Sequence, residues 1–263
     1  MGSSDKQPLN GYTVLLTRPA GSGTKLCEEL ERLGAVVEAR PTIALEPPSD
    51  PSEAARSLAS LQKYDWLLFT SPRGVHFFCH MAGSVLGALP AIDAEIASIG
   101  PSTTLALEER GLSPSVVAED SRAEGLAQML EGRVESGNRL LLVRPEQTRP
   151  LLAERLRAAG AEVDSVAFYR NVEAPEVAEI ARDIRDGRYD VIVLTSPSSL
   201  SRLREAAARA GLDMDEALRR AAVVTIGKVT ARAVEEAGLT VAEIAREPTV
   251  AGIREAVLKL FEA

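Results

Sequence analysis

The residues with chemical potential stand where runs of apolar sequence give way to turns. "WLLFTSPRG" carries Ser71 and "VIVLTSPSS" carries Ser196, each followed by proline. Serine is a favoured helix N-cap and proline is pre-organised for the first helical turn, so both serines are expected where a strand passes into a helix. Backbone N–H groups at such turns also attract anions, and capping alone is the competing reading. Arg18 and Arg144 precede proline in "LLTRP" and "LLVRP", and Lys228 follows Gly227 in "TIGKVT". A guanidinium can grip a carboxylate with two parallel hydrogen bonds; a solvated surface charge accounts for these cations equally well. Tyr169 in "SVAFYRNVE" offers a phenol that could protonate a departing oxygen, or that could simply pack on a sheet.

Other chemistries find little support. His76, Cys79 and His80 fall together in "HFFCH", and His76 and His80 have a spacing that can bind metal. No HExxH glutamate or clear third ligand accompanies them, so a helix partly buried through its Phe pair is the expectation, with no metal. Two neighbouring histidines cannot supply a Ser-His-Asp triad. "GSG" at Gly21 to Gly23 lacks the third glycine of a dinucleotide fingerprint, and no GK[ST] phosphate loop is present. No cofactor is expected. A net charge of −8 argues against a broad nucleic-acid surface, although a few cations in one cleft can still bind an anion. The two cysteines form no CxxC pair, which suits a reducing cytoplasm. No apolar run approaches the ~20 residues of a membrane span, and the polar opening "MGSSDKQPLNG" reads as a loose tail without a secretory leader.

The elements that must position these residues occur twice. "YTVLLTRP" matches "NRLLLVRP", "YDWLLFTSP" matches "YDVIVLTSP", and "IASIGPSTTLALEERGL" matches "VVTIGKVTARAVEEAGL", each pair about 126 residues apart. The short apolar runs predict strands buried on both faces, and the segments between them have helical period and often end in glycine. This alternation predicts parallel sheets with helices on both faces. Six turns share one design, after Thr17, Thr70, Ile99, Val143, Thr195 and Ile226. Ligands of such sheets bind beyond the carboxyl ends of the strands, so these turns could present rims of donors to a ligand with several carboxylates. "VVEARPTIAL" and "EVDSVAFYRNVE" exceed the usual ~5–6 residues of a strand. Each could leave one sheet for another, or could be a strand followed by an extended loop.

These blocks, with "LLFTSPRGVHFF", "VAFYRNVEAP" and "VLTSPSSLSRL", make the chain resemble the uroporphyrinogen-III synthases over nearly its whole length. The resemblance implies an α/β fold of two similar lobes, each a parallel sheet flanked by helices, joined by a two-stranded β-ladder. Residues 1–42 with 172–263 would form one lobe and 43–171 the other, with the two long strands as the crossings. The implied substrate is hydroxymethylbilane, a linear tetrapyrrole with eight carboxylates. It is closed with inversion of ring D and loss of water through a spiro intermediate. Because this bilane also closes unaided to the uninverted isomer, the task is mainly positioning. Carried over by motif, Tyr169 assists departure of the hydroxyl, Thr103 and Thr230 line the site, and Ser71 and Ser196 belong to its turns. The amides of Gly100 and Gly227 would bind carboxylates, as would Arg18 and Arg144. The resemblance further implies a cytoplasmic monomer without nucleic-acid or membrane partners, and it admits transient contact with the deaminase upstream. A non-catalytic two-lobed sensor of a small anion is the alternative, and a nucleotide-sugar transferase a weaker one for want of a phosphate fingerprint.

Overall fold

The computed structural model describes residues 7–18, 20–118 and 123–261. In chain order the elements are β1 (Thr13–Leu16), α1 (Ala20–Arg32), β2 (Val36–Ala39), β3 (Ile43–Glu46), α2 (Ser52–Ala59), β4 (Trp66–Phe69), α3 (Pro72–Leu86), β5 (Glu95–Ile99), α4 (Pro101–Glu108), β6 (Val116–Ala118) and α5 (Ala123–Leu130). They continue with β7 (Arg139–Pro145), α6 (Leu151–Ala158), β8 (Glu162–Glu173), α7 (Val177–Arg185), β9 (Val191–Leu194), α8 (Pro197–Arg209), α9 (Met214–Leu218), β10 (Ala222–Thr225), α10 (Lys228–Glu236), β11 (Glu243–Ile244) and α11 (Val250–Lys259). The chain divides into two compact units, Met1–Ala44 with Val172–Ala263, and Leu45–Asn171.

The first unit is built on a five-stranded sheet in the order β11-β10-β9-β1-β2, with parallel pairings throughout. Strand alternation sends successive side chains to opposite faces. Leu15, Ile192 and Leu194 therefore pack with α7, α8 and α9, while Val14, Leu16, Val191 and Val193 pack with α1 and α11. The second unit carries the six-stranded order β3-β8-β7-β4-β5-β6, whose pairings from β8 to β6 are parallel. Leu67 and Phe69 face α2, α3 and α4; Trp66 and Leu68 face α5 and α6. Apart from Trp66, each of these side chains is fully buried and contributes roughly 1.5–3 kcal/mol.

Glycines stop the helices as their sequence positions suggest. Gly34, Gly111, Gly160 and Gly238, which follow α1, α4, α6 and α10, all have φ between 74° and 99°. The long segments resolve differently from one another. "EVDSVAFYRNVE" is one twelve-residue strand, β8. "VVEARPTIAL" breaks at Pro41 into β2 and β3, which belong to different sheets. Part of the opening segment departs from the loose tail expected of it. Residues 1–6 lie outside the described residues, but Leu9 is fully buried against Leu26 and Leu30, and its N–H bonds the Leu33 carbonyl. An apolar residue beside a helix terminus has enough area to dock even in a polar context.

The recurrence of "YD" has a structural cause. Asp65 Oδ2 accepts from Arg139 N at 2.7 Å, and Asp190 Oδ2 accepts from Thr13 N at 2.8 Å. Each aspartate thus satisfies the first N–H of the neighbouring strand. Tyr64 donates to Asp164 and Tyr189 donates to Glu38, both at 2.7 Å. Lys63 pairs with Asp164 and Arg188 with Glu38, so each unit has a cation, a phenol and a carboxylate in one cluster. In both clusters the phenol comes from one repeat and the carboxylate from the other. The β1-α1-β2 segment of the first repeat completes the sheet of the second, and β7-α6-β8 of the second completes the sheet of the first.

Candidate functional site

In each unit the singled-out residues gather at the carboxyl edge of its parallel sheet. Ser71 follows β4 and caps α3: its φ of −160° and ψ of 152° are extended, and its Oγ accepts from Gly74 N at 3.1 Å. Ser196 follows β9 and caps α8 in the same way, accepting from Ser199 N at 3.2 Å. The capping expectation is therefore met at both turns. Gly74 keeps α3 close to β7, because an added Cβ would stand 3.3 Å from Val143 Cγ1.

Tyr169 arrives beside Ser71 through a break in strand register. Arg144 opposes Ala167, but Pro145 opposes Tyr169, so Phe168 is the extra residue of a β-bulge. A bulge re-aims the side chains that follow it. Regular alternation would send Phe168 and Tyr169 to opposite faces; here both join the cluster packed under α3. The Tyr169 hydroxyl lies 3.0 Å from Ser71 Oγ, and its ring stacks on Phe77 of α3 at a centroid distance of 5.4 Å. Tyr169 is 4% exposed, and the Ser71 contact gives its hydroxyl a protein partner.

Four further positions depart from expectation. Gly100 has φ 75° and ψ 158°, a region essentially open to glycine alone. Its N–H is already committed to the Ala118 carbonyl of β6 at 2.9 Å, so it is a sheet donor and not a carboxylate donor. Arg144 does not begin a turn. Strand β7 runs on to Pro145, and α6 starts only at Leu151. The Arg144 guanidinium folds back onto Ser165 O and Oγ and onto the carbonyls of Pro145 and Glu146, at 2.8–3.2 Å. These bonds satisfy three of its N–H groups and make it a brace for the bulge. Thr103 and Thr230 sit in the first turns of α4 and α10 but are only 1% and 3% exposed.

At the other sheet, Thr17 and Thr195 tie the ends of β1 and β9. Thr17 Oγ1 donates to Val193 O and accepts from Thr195 N, while Thr195 Oγ1 donates to Thr17 O. Arg18 follows directly, half-buried, with its Nε unpartnered among the described residues. Gly227 has extended backbone, with open space where a Cβ would stand. Beside it a cavity of about 530 Å³ is lined by Ile226, Lys228, Val229, Ile244 and Arg246. The exposed rings of His76 and His80 stack on the surface of α3 while Phe78 is fully buried, in keeping with a helix docked through phenylalanine. Among the described residues, no group of three or more His, Cys, Asp or Glu could hold a metal ion. No described helix is long and apolar enough to cross a membrane.

The serine caps carry a direct local signal in the sequence, whereas Tyr169 is singled out by its place in the long strand and by the family resemblance. The bulge and the arginine brace carry no local signature, and nor does the Tyr–carboxylate pairing between repeats.

Comparison with known proteins shows the family. The sequence model of the family described as "Uroporphyrinogen-III synthase HemD" matches residues 24–255. A putative uroporphyrinogen-III synthase of Methanothermobacter thermautotrophicus is 30% identical over 231 residues, covering 86% of this chain and 90% of that protein. The uroporphyrinogen-III synthase of Synechococcus elongatus is 27% identical over 257 residues, covering 96% of each chain. In fold, the chain is similar to a mutant uroporphyrinogen III synthase from Thermus thermophilus, with a TM-score of 0.61 at 23% identity over 96% of this chain and 99% of the other. On the extent of the family match and the agreement in fold, the chain belongs to the uroporphyrinogen-III synthase family.

Proposed function

We propose that the protein closes hydroxymethylbilane to uroporphyrinogen III, with ring D inverted and water released. The observation that carries this reading is the bulge that delivers Tyr169 to the carboxyl edge of its sheet, against the capped end of α3. Tyr169 donates its proton to the departing hydroxyl of the bilane, and the remaining electrophile is attacked by ring D at its substituted carbon to give the spiro intermediate. Arg18, Ser196 and the Gly227 amide, at the carboxyl ends of adjacent strands in the other sheet, are groups suited to binding carboxylates. Thr103 and Thr230 act from beneath their turns, fixing the backbone that the substrate meets. The protein's contribution is mostly geometric, since one folded conformer must be kept from closing by the easier route.

The test is incubation of purified protein with hydroxymethylbilane, followed by separation of the product isomers. A predominance of type III is expected, and Tyr169→Phe should lower its rate of formation without a matching loss of folding stability. Type I alone would overturn the proposal and favour a protein that binds the bilane or another small polyanion without turning it over. Unchanged turnover in Tyr169→Phe would remove the tyrosine from the mechanism.

A further inference from the structure

The duplication supplies an internal control for Ser71. Ser71 and Ser196 occupy equivalent turns and make the same capping bond to the third residue beyond them. Their second contacts differ. Ser196 Oγ lies 2.9 Å from Ser198 Oγ and 3.0 Å from Ser199 Oγ, whereas Ser71 Oγ lies 3.0 Å from the Tyr169 hydroxyl. Both further partners of Ser196 belong to its own helix, α8, whereas that of Ser71 comes from β8. What the repeats share, folding requires of both; the tyrosine contact is extra. Resting on the role given to Tyr169 above, we propose that Ser71 is a positioning residue, which couples the N-terminus of α3 to the phenol and leaves the phenolic proton directed at the substrate.

The hydrogen-bond inventory favours this polarity. The Gly74 N–H already occupies one lone pair of Ser71 Oγ. The serine proton then needs an acceptor, and the Tyr169 oxygen stands at the right distance. A chain running from Gly74 N–H through Ser71 O–H to Tyr169 polarises along its length, and the positive end of α3 favours negative charge on the phenol oxygen. Phe77 and the bulge fix the ring, so the serine sets the one remaining freedom, rotation of the phenolic O–H. In the chemical step that proton passes to the hydroxyl of the bilane. The C–O bond breaks with its electron pair going to oxygen, water leaves, and the pyrrole nitrogen lone pair fills the vacated carbon. Tyr169 is left as phenolate and recovers a proton when the closing macrocycle sheds one to restore its last pyrrole.

The experiment compares Ser71→Gly, Ser71→Thr and Thr249→Gly in the full chain. Glycine is a good N-cap residue in its own right, so Ser71→Gly should fold. Thr249 caps α11 through Gly252 N at 3.1 Å and controls for loss of a cap elsewhere. Expected for Ser71→Gly is a fall in kcat of about 10- to 100-fold with KM little changed, the scale of a misplaced reacting group. Ser71→Thr should recover most of the rate, and Thr249→Gly should keep it. In a Tyr169→Phe background, Ser71→Gly should cost nothing more. The 13Cζ resonance of Tyr169, assigned by its loss in Tyr169→Phe, should move in Ser71→Gly and stay in Thr249→Gly. A normal kcat in Ser71→Gly, losses that multiply in the double variant, or an unmoved resonance would each overturn the proposal. If wild-type protein yields only type I isomer the synthase reading fails, while the resonance still reports whether serine and tyrosine are coupled.

Discussion

Replacing Tyr64 by phenylalanine removes one oxygen and leaves the ring, which is 4% exposed, in its cluster. The lost bond is the 2.7 Å donation to Asp164, whose carboxylate is also 3.0 Å from Lys63 Nζ. A hydrogen bond to a charged group is worth about 1.5–3 kcal/mol. The Asp164 side chain is 43% exposed, so water takes up part of the vacancy and the cost should be about 1–2 kcal/mol. Tyr189 has two such bonds, donating to Glu38 at 2.7 Å and accepting from Arg40 at 3.2 Å, and Glu38 is only 24% exposed. Tyr189→Phe should therefore cost more, about 2–3 kcal/mol. Urea unfolding can tell the two apart, because the single tryptophan, Trp66, lies in the unit that contains Tyr64. Tyr64→Phe should lower the midpoint of the Trp66 fluorescence transition by roughly 0.5–1 M, taking a slope near 2 kcal/mol/M. Tyr189→Phe should act on the far-ultraviolet dichroism and hardly on that fluorescence. A Trp66 midpoint in Tyr64→Phe within ~0.1 M of wild type would refute the reasoning that these phenols stitch the repeats together.

Further outcomes follow from the same clusters and from the turn at Gly100. Burial alone would raise the Asp164 carboxyl, but bonds from Tyr64 and Lys63 outweigh it and hold its pKa below the usual range. Its contribution is thus present above the ordinary carboxylate pKa and lost as pH falls through the lowered one; acid titration of Trp66 fluorescence should be shallower in Asp164→Asn than in wild type. Tyr189 is pushed up to about 12, first by burial and then by its bond to Glu38. Its contribution is complete below the ordinary tyrosine pKa of ~10 and disappears as pH rises through about 12, so alkaline unfolding followed by dichroism should begin earlier in Tyr189→Phe. Gly100→Ala places a side chain where φ is 75° and ψ is 158°, and should cost about 1–3 kcal/mol in chemical denaturation, with a stability close to wild type counting against the strain argument.

Much of the architecture can be read from local pattern, because its causes are local. Apolar runs such as "VIVLT" have no alternation to lose when both faces are buried, and a glycine after a helix marks the left-handed residue that ends it. The serine caps are legible for the same reason: serine, proline and the strand before them lie within a few residues. Pairings across 100 residues or more leave no such trace. Asp164 is an ordinary acidic residue until Tyr64 is laid against it, and "VVA" at β6 is too short to announce a strand that takes the Gly100 amide. Arg144 shows how equivalence by sequence can mislead. It aligns with Arg18, yet the bulge beside it exposes carbonyls that need a donor, and its guanidinium supplies one.

The exchanged strands also bear on the order of events during synthesis. Leu45–Asn171 is continuous, so the chain can complete that unit while the rest is still being made. The other sheet pairs Val14 with Val191 and must wait. Tethering those two residues through an unfolded stretch would cost about 4–5 kcal/mol of closure entropy, by the logarithmic dependence on loop length. Once β3 lies beside β8, the two flanks leave the finished unit side by side and most of that stretch ceases to count as loop. Early maturation of the central segment thus acts as an internal template, lowering the entropic barrier to the late joining of the two distant ends.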